Sequence, residues 1–376
     1  MGPPLAAVIG GGPGGLMAAE VLASSGLKVV VFEQMPSVGR KLLVAGRGGL
    51  NLTHSEPLDR FLQRYDWTGS DIGSASAGPS LIDAIGRFPP SDLRDWSAGL
   101  GHETFVGSSG RVFPKGLRAN GLLASWLERL QGLGVEIRTR TKFLGWDGDR
   151  LRFHSDAPGR DATGEYFFVP DVTVMSLGGA SWPKVGSDGS WQQTLREKGV
   201  KVTELSASNC GFKLPWSKVF RDRFEGSPVK NIAVTARPGE SRRDLGEITS
   251  HGEFMIVNSG IEGGVVYAVG SRLRSQLADA GTAELLVDLR PDLDLTSIVE
   301  RLERRRPKES TSTALKRLVG LDAVKIGLIN EVTRQATPTR GSTVQGDGPP
   351  REAHQLAGLI KALPLTLTGS EGLDRA

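Results

Sequence analysis

A glycine-rich turn between two apolar runs, within residues 5–33, constrains the fold of this chain more than any other feature. The first run enters Gly10-x-Gly12-x-x-Gly15, a helical stretch follows, and the second run ends on Glu33. Strand, glycine turn, helix, strand and acid, in this order and spacing, form the βαβ fingerprint of dinucleotide-binding domains. The sequence therefore predicts a bound adenine dinucleotide. The alternative is a glycine-rich βαβ turn without a ligand.

Each position of this fingerprint has a physical reason. Gly10 allows the tight turn, Gly12 lets the backbone approach a pyrophosphate, and Gly15 lets the helix pack closely on the strand. The helix N-terminus presents its first N–H groups and the positive end of its dipole to the phosphates. Glu33 can accept hydrogen bonds from both ribose hydroxyls, and its charge would repel a 2′-phosphate.

The composition is typical of a soluble globular protein. Of 376 residues, 38% are hydrophobic and 23% are charged, and the net charge of +4 is a small excess over nearly balanced acids and bases. We therefore expect no nucleic-acid partner. No apolar stretch reaches the roughly 18 residues needed to span a bilayer, and the N-terminus has no signal-peptide pattern. These features predict a cytoplasmic protein without membrane contact.

The cysteine and histidine content limits the chemistry that the chain can perform. The single cysteine, Cys210, cannot form an intrachain disulfide or a CxxC redox pair, which excludes disulfide-reductase chemistry within one chain. We expect it to be a small buried hydrophobic residue. The five histidines show no metal-ligand spacing, so we expect no metal site.

Strand-like and helix-like patterns alternate over the first half of the chain. A helical stripe covers residues 119–133, and three short strand candidates between residues 142 and 169 predict a small antiparallel excursion. A buried strand over residues 171–177 then leads into a pair of glycines. We assign residues 1–205 to the first part of the dinucleotide-binding domain.

The second half has short strand candidates, over 230–236, 247–250 and 254–257, and then helices rich in Arg, Lys and Leu between 295 and 329. We assign residues 206–350 to an inserted β-rich and helical domain, ending in a loop or linker over 337–350. A helix over 351–362 and a strand over 364–368 follow. We assign residues 351–376 to an incomplete return to the first domain, so that a Rossmann-type domain is interrupted by a second one.

The turn after Glu33 carries two cations. Gln34 opens this turn, and Arg40 and Lys41 follow Gly39 just beyond the second strand, where they could lie beside a pyrophosphate or the adjacent sugar. Nicotinamide-only dehydrogenases do not usually carry this extension, whereas two-dinucleotide flavoenzymes do, so it favours FAD over NAD. The alternative is a solvated surface turn.

A second glycine-rich segment, residues 45–56 (AGRGGLNLTHSE), suits a backbone that closely approaches a large planar ligand. His54, near its end, is either a proton donor beside the flavin or a residue with a surface or capping role. Gly178-Gly179 resembles the second glycine contact that covers FAD in such folds. Trp182 and Trp191, which follow it, either line the pocket or pack in the core.

Together these segments resemble one family, the BaiN-like (YhiN-like) flavoproteins. The matching segments extend from residue 5 to about residue 370 and read, in chain order, GGGPGG, FEQMPSVGRK, AGRGGLNLTHSE, GRVFPKGLRANGLL, SLGGASWPKVGSDGSW and GIEGGVVY. Members are bacterial NAD(P)- and FAD-dependent oxidoreductases, mostly of unassigned substrate. The resemblance implies an α/β fold in which a glutathione-reductase-type FAD-binding Rossmann domain is interrupted by a β-rich domain with a helical subdomain.

The resemblance also implies which residues hold FAD. The family's FAD-binding positions are occupied by Gly10, Gly12, Gly14, Gly15, Glu33, Arg40, Lys41, Asn51, Leu52, Gly178 and Gly179. Phe143 falls where such folds contact adenine through the backbone. The predicted cofactor-binding set is completed from the same motifs by Pro13, Gln34 and Gly46. No catalytic residue is assigned.

The chain departs from the family pattern in two places. Val257-Asn258-Ser259-Gly260 stands where the broader family often has Thr-His-x-Gly, so no acid–base role of that histidine carries over. Family chains also continue past the equivalent of Ala376 with a glycine-rich segment that completes the FAD domain. We therefore expect this 376-residue form to bind FAD weakly and to be less soluble than an extended form.

The expected activity is that of an FAD-dependent oxidoreductase, in which hydride passes through the bound flavin. The sequence has no second GxGxxG motif, so NAD(P)H would dock transiently in the substrate cleft as the electron donor. Reduction of a small organic substrate is the favoured reaction. Two alternatives stay open: a flavin oxidase of an amine or alcohol, and a non-catalytic or defective flavoprotein. The substrate and the oligomeric state are left unassigned.

Overall fold

The computed structural model describes residues 2–65, 81–156, 164–335 and 352–373. The chain divides into two units, Met1–Leu205 and Ser206–Ala376. Each unit has sheets and a buried apolar core of its own. None of the helices in the described ranges has the length and apolar character needed to cross a membrane.

The described part of the first unit contains ten strands and seven α-helices. The strands are β1 (Leu5–Ile9), β2 (Lys28–Phe32), β3 (Thr53–His54), β4 (Thr104–Val106), β5 (Arg111–Pro114), β6 (Glu136–Arg138), β7 (Thr141–Asp147), β8 (Arg150–Ser155), β9 (Gly164–Phe168) and β10 (Val172–Met175). The helices are α1 (Pro13–Ser24), α2 (Arg40–Ala45), α3 (Leu58–Leu62), α4 (Leu81–Arg87), α5 (Pro90–Gly99), α6 (Ala119–Gly132) and α7 (Trp191–Glu197). Short 3₁₀ turns cover Gly46–Gly48 and Pro183–Val185.

Four parallel strands form the central sheet of the first unit, in the order β10-β1-β2-β6. Successive residues of a strand point to opposite faces, so a sheet covered on both sides needs continuous apolar strands. β1 and β2 meet this need, since four of the five residues in each are buried. The predicted α/β fold with a Rossmann-type parallel sheet is confirmed.

The two faces of this sheet are covered differently. On one face, Ala6 and Val8 of β1 pack with Leu16 of α1 and Trp126 of α6. On the other face, β1 and β2 pack against the antiparallel sheet β7-β8-β9, where the rings of Phe32 and Phe153 stack with centroids 4.1 Å apart. A third small sheet has the order β3-β5-β4.

The described part of the second unit contains seven strands and six α-helices. The strands are β11 (Phe212–Lys213), β12 (Pro228–Ala236), β13 (Ile248–Val257), β14 (Gly260–Glu262), β15 (Ala283–Asp288), β16 (Leu363–Leu367) and β17 (Gly369–Ser370). The helices are α8 (Lys218–Phe224), α9 (Gly264–Ala280), α10 (Leu295–Glu303), α11 (Thr311–Ala314), α12 (Ala323–Gln335) and α13 (Ala353–Lys361). A 3₁₀ segment covers Glu240–Leu245, and a π-helical turn covers Leu315–Val319.

The sheet of the second unit has the order β16-β15-β12-β13-β14-β11-β17, and its described strand pairs are antiparallel. The long helix α9 packs against it and buries Val266 and Leu273. The strands predicted over 247–250 and 254–257 form one strand, β13, because the chain stays paired with β12 through His251 and Gly252. Cys210 is 1% exposed in this core.

Residues 351–376 differ from the prediction of a return to the first domain. β16 pairs with β15 in the second unit's sheet, with Leu365 opposite Leu285. α13 buries Leu356 and Ile360 in the core of the same unit. The reason is that one face of α13 and alternate residues of β16 are apolar. These apolar side chains are buried in the core of the second unit. The loop predicted over 337–350 lies outside the described residues.

Candidate functional site

The glycine turn lies where the carboxyl ends of β1, β2 and β10 meet. Gly10 has φ +107°, and a Cβ there would overlap the carbonyl oxygen of Ser176, just after β10. A Cβ on Gly15 would overlap the carbonyl oxygen of Gly10. Glycine at these two positions therefore lets the first turn of α1 lie directly against the two strand ends. Gly12, by contrast, faces open space.

The N-terminus of α1 has no side-chain cap among the described residues. Gly12 is its N-cap and Pro13 lies in its first turn. Leu16 donates its N–H to the carbonyl of Gly12 at 2.9 Å. The N–H groups before Leu16 have no intrahelical acceptor, and the helix dipole adds partial positive charge there. A helix end of this kind is suited to binding phosphate.

Glu33 follows β2, and its carboxylate accepts two backbone hydrogen bonds. Oε2 accepts from the Gly11 N–H at 2.8 Å, and Oε1 accepts from the Met35 N–H at 2.8 Å. Burial raises the pKa of the Glu33 carboxyl above its ordinary value and outweighs the lowering effect of these bonds. Each carboxylate oxygen has more than one acceptor position. Glu33 can therefore hold its place in the turn and still accept bonds from hydroxyl groups of a ligand.

Arg40 and Lys41 open α2 directly after Gly39, which has φ +68°. Lys41 Nζ donates to Ser181 Oγ at 3.1 Å, and burial lowers the pKa of Lys41. Arg40 Nη1 donates to Ser37 Oγ at 3.3 Å. Arg40 Nε is buried and has no hydrogen-bond partner in the described part of the chain. Since guanidinium nitrogens only donate, Arg40 has a buried donor that a ligand's acceptor could satisfy.

These groups line a single cavity of about 450 Å³ in the first unit. Gln34 Nε2 donates to the carbonyl of Gly186 at 2.8 Å, which ties the end of β2 to the loop that follows β10. The residues of the predicted set that line the cavity are Gly10, Gly12, Pro13, Gly14, Glu33, Gln34, Arg40, Lys41, Phe143 and Gly178.

Phe143 reaches this cavity from β7, an edge strand of the described β7-β8-β9 sheet. Its ring packs against Trp146 and Phe153, with centroids 4.9 and 5.7 Å away. The side chain thus belongs to the apolar core, while an edge strand offers backbone N–H and C=O groups on its outer side. A backbone contact, as the family resemblance implies for adenine, fits this arrangement.

Five residues of the predicted set do not line this cavity, namely Gly15, Gly46, Asn51, Leu52 and Gly179. Gly46 packs on α6, where a Cβ would lie 2.6 Å from the Cβ of Ala119. The Leu52 N–H donates to the carbonyl of Val112 at 2.9 Å. Residues 45–56 are therefore held against α6 and β5. The carbonyl of Gly179 accepts from Ser187 Oγ at 3.1 Å, at the rim of the cavity.

The two ring nitrogens of His54 both lie within hydrogen-bond distance of backbone groups. Its Nδ1 accepts from the Glu56 N–H at 3.2 Å, and its Nε2 lies 3.1 Å from the carbonyl oxygen of Ser109. One ring nitrogen is thus engaged in the loop that follows β3 and the other in the turn between β4 and β5, and the residue is not part of the cavity wall.

Several side chains of the cavity wall were not predicted from the sequence, among them Lys142, Ser187, Asp188, Ser190 and Thr194. The Asp188 carboxylate accepts from the Ser190 N–H at 3.0 Å. Burial acts to raise the pKa of Asp188, but the hydrogen bonds from Ser190 prevail and the pKa is lowered. For Ser187, Asp188 and Ser190 the available signal was the segment SLGGASWPKVGSDGSW, of which only Gly178 and Gly179 were assigned to the site.

Trp191 lines the cavity, whereas Trp182 does not and is 43% exposed. The Trp191 indole nitrogen is buried and has no partner among the described residues. Together with Arg40 Nε, it gives the cavity two buried donors that lack an acceptor. An anionic ligand rich in acceptor atoms fits these donors, the α1 N-terminus and the two cations. Within the described ranges, no three His, Cys, Asp or Glu residues are grouped to hold a metal ion.

Comparison with known proteins gives similarities along almost the whole chain. A relative from Clostridium scindens, named 3-dehydro-bile acid delta(4,6)-reductase, is 24% identical over 374 residues, covering 98% of this chain and 84% of its own. A relative from Haemophilus influenzae, named ribosomal RNA dihydrouridine synthase, is 22% identical over 380 residues, covering 98% and 83%. Among solved structures, the open conformation of a flavocytochrome c3 fumarate reductase is 13% identical and covers 99% of this chain and 67% of its own, with a TM-score of 0.42.

The family comparison covers both units. The family described as "HI0933-like protein Rossmann domain" matches residues 5–346. The predicted membership in the BaiN-like (YhiN-like) family is confirmed: this chain belongs to the HI0933-like Rossmann-domain family.

Proposed function

We propose that the chain binds FAD in the cavity at the glycine turn and transfers hydride between NAD(P)H and a small organic substrate. The observation that carries this proposal is a single cavity lined by an uncapped helix N-terminus, a half-buried carboxylate and two residues with buried donors that lack acceptors. A helix N-terminus and free donors bind a pyrophosphate, and a neighbouring carboxylate binds the hydroxyl groups of the adjacent ribose.

The residues present divide the work of holding FAD between them. The α1 N-terminus and Gly12 receive the pyrophosphate, and Arg40 Nε donates to one of its oxygens. Glu33 accepts from the ribose hydroxyls, and its negative charge disfavours a 2′-phosphate. The β7 backbone at Phe143 receives the adenine. Gly46, Asn51, Leu52 and Gly179 remain proposed contacts for parts of the cofactor outside this cavity.

When bound, FAD would supply a group that accepts and releases hydride. The chain's own contribution is to orient the cofactor and to hold its phosphates by charge. A second glycine fingerprint is missing from the sequence, so the nicotinamide donor would bind transiently at the substrate side. The reductase mode is supported by the name of the Clostridium scindens relative, which covers 98% of this chain. Oxidation of an amine or alcohol is the second mode, and a protein that binds flavin without catalysis is the third.

The test is a visible spectrum of the purified protein after addition of FAD, followed by anaerobic titration with NADH and NADPH. Flavin absorbance that bleaches with either nucleotide is the expected result. Flavin that does not bleach with them but bleaches with an amine or alcohol would replace the reductase by the oxidase. A flavin that no donor reduces favours the non-catalytic protein. A protein that takes up no FAD would refute the proposal.

The substrate class is tested with the reduced protein. The two relatives are named for a bile-acid reductase and for a synthase that acts on ribosomal RNA. We expect a small unsaturated carbonyl compound to reoxidise the reduced flavin under anaerobic conditions and unmodified ribosomal RNA to leave it reduced. Reoxidation by the RNA alone would contradict the expected absence of a nucleic-acid partner.

A further inference from the structure

The indole N–H of Trp191 is a buried donor that no side chain or backbone group of the described chain satisfies. Trp191 is the first residue of α7 and lines the cavity. An indole nitrogen can only donate, and a buried donor without an acceptor costs free energy. Such groups are rare in folded proteins and call for an explanation, of which a bound ligand is one.

The location of this donor distinguishes it from other buried atoms without partners. Among the described residues, the remaining ones are Arg40 Nε, Arg152 Nε and Glu371 Oε1. Arg152 and Glu371 do not line the cavity, whereas Arg40 and Trp191 do. The two donors therefore belong to residues that one ligand in this cavity would contact.

Trp191 shares a wall of the cavity with β7. α7 lies so close to this strand that a Cβ on Gly145 would be 3.3 Å from Thr194 Cγ2. Thr141, the first residue of β7, donates its N–H to the carbonyl of Glu33 at 2.9 Å. The wall formed by β7 and Trp191 thus begins beside Glu33. A nucleoside whose ribose is held by Glu33 would place its base or its remaining sugar oxygens along this wall.

We propose that the Trp191 indole N–H donates a hydrogen bond to the adenosine half of the cofactor, at a ring nitrogen or a ribose oxygen. This inference rests on the proposed function, because Glu33 locates the adenosine half. Trp191 is then a binding residue for adenosine, and its contribution to affinity does not depend on the flavin ring.

The test compares Trp191→Phe with Trp182→Phe, using ADP and FAD as ligands in isothermal titration calorimetry. Phenylalanine keeps an apolar ring and removes the donor. The loss of one hydrogen bond should weaken both ligands by about 3- to 10-fold and by the same factor. The rise in Tm caused by saturating ADP should shrink in Trp191→Phe. Trp182 is exposed and outside the cavity, so Trp182→Phe should match the wild type in both assays.

Three outcomes would overturn the inference in different ways. Equal ADP and FAD affinities in Trp191→Phe and wild type would show that the indole donates nothing to the ligand. Loss of FAD affinity with unchanged ADP affinity would move the contact to the flavin half. Failure of the wild type to bind either ligand would refute the proposed function and this inference with it.

A second measurement needs no variant, in case Trp191→Phe does not fold. In wild-type protein labelled with ¹⁵N-tryptophan, addition of ADP should shift one indole N–H resonance strongly and slow its exchange with solvent. No shifted indole resonance at saturating ADP would overturn the inference.

Discussion

Buried cations in the two units of this protein find their hydrogen-bond partners in different ways. In the second unit, Lys325 is 5% exposed, and its ammonium donates to the backbone carbonyls of Asn231 at 3.2 Å and Leu289 at 2.8 Å. In the first unit, Arg40 Nε is buried without any acceptor among the described residues. The fold itself supplies acceptors for the ammonium of Lys325, whereas it supplies none for Arg40 Nε. In the proposed function, the ligand supplies that acceptor. The same contrast separates a structural polar group from a binding group.

The buried carboxylates add to this comparison. Glu331 on α12 accepts from the N–H and the hydroxyl of Ser217, at 2.6 and 2.7 Å, and thereby fixes the start of α8. Glu33 also accepts two bonds, but both come from the backbone next to an open cavity. Bond counts alone therefore do not identify a binding residue, because what matters is whether the group also faces space that a ligand can enter.

The largest effect is expected in the free energy of unfolding, which should differ between variants of Lys325 and of Arg40. Lys325→Met leaves the buried carbonyl of Leu289 and the part-buried carbonyl of Asn231 without this donor and should lower the free energy of unfolding by about 1–3 kcal/mol. Arg40→Met removes the Nε donor, which has no acceptor, and one long, exposed hydrogen bond to Ser37, so it should change the stability of the ligand-free protein by less than about 1 kcal/mol. Urea unfolding of the two variants without cofactor makes this comparison.

The same pair should show the reverse order in cofactor binding. Arg40→Met removes a charge-assisted bond to the pyrophosphate, so FAD affinity should fall by about 10- to 100-fold. Folded Lys325→Met should bind FAD like the wild type. Equal FAD affinities for Arg40→Met and wild type would show that Arg40 does not bind the cofactor.

Glu33 should be the next most sensitive position. Glu33→Gln removes the negative charge and one acceptor group, so FAD affinity should fall by about 10- to 100-fold. The matched control is Glu331→Gln, which should lower the free energy of unfolding without a change in FAD affinity. Retention of full FAD affinity by Glu33→Gln would remove Glu33 from the site.

A smaller effect is expected in the pH dependence of binding. Burial raises the pKa of Glu33 above 4.5, and ribose hydroxyls donate to the ionised carboxylate. FAD binding should therefore weaken as the pH falls through this raised pKa, and the dependence should be absent in Glu33→Gln. FAD titrations at a series of pH values from 4.5 upward measure it. A pH-independent affinity in the wild type would show that the charged form of Glu33 is not required.

The ligand-free protein should respond to pH with the opposite sign. Because the pKa of Glu33 is higher in the folded state than in the unfolded state, its stabilising contribution is complete below the unfolded value. The contribution is lost as the pH rises through the folded value. Comparison of the free energy of unfolding of Glu33→Gln with that of the wild type over the same pH range isolates the contribution of Glu33 to the pH dependence of stability.

The smallest effect is expected at Cys210, which is 1% exposed in the core of the second unit. Burial raises the pKa of its thiol, so it is poorly suited to act as a nucleophile. Cys210→Ala should lower stability by about 1 kcal/mol and leave flavin reduction unchanged. A large loss of turnover in folded Cys210→Ala would reveal a working thiol.

Sequence patterns predicted the parts of this molecule that depend on neighbouring residues. The glycine turn, α1 and β2 lie within about thirty residues, and Gly10 and Gly15 are required by contacts within that stretch or with the strand next to it. The patterns could not show that the chain after Gly178 passes by Gln34 and brings Trp191 to β7, because these contacts join residues far apart in sequence. The pairing of β16 with β15 was missed for the same reason, since an apolar strand fits the edge of either sheet.

The most direct test of the central claim is the equilibrium binding of FAD to the purified 376-residue chain, with ADP as competitor. We expect one FAD per chain and displacement of FAD by ADP at a single site. We also expect Arg40→Met and Glu33→Gln to weaken FAD binding and Lys325→Met to leave it unchanged. Saturable FAD binding that ADP cannot displace, or that none of these variants weakens, would place the cofactor outside the cavity at the glycine turn and contradict the account.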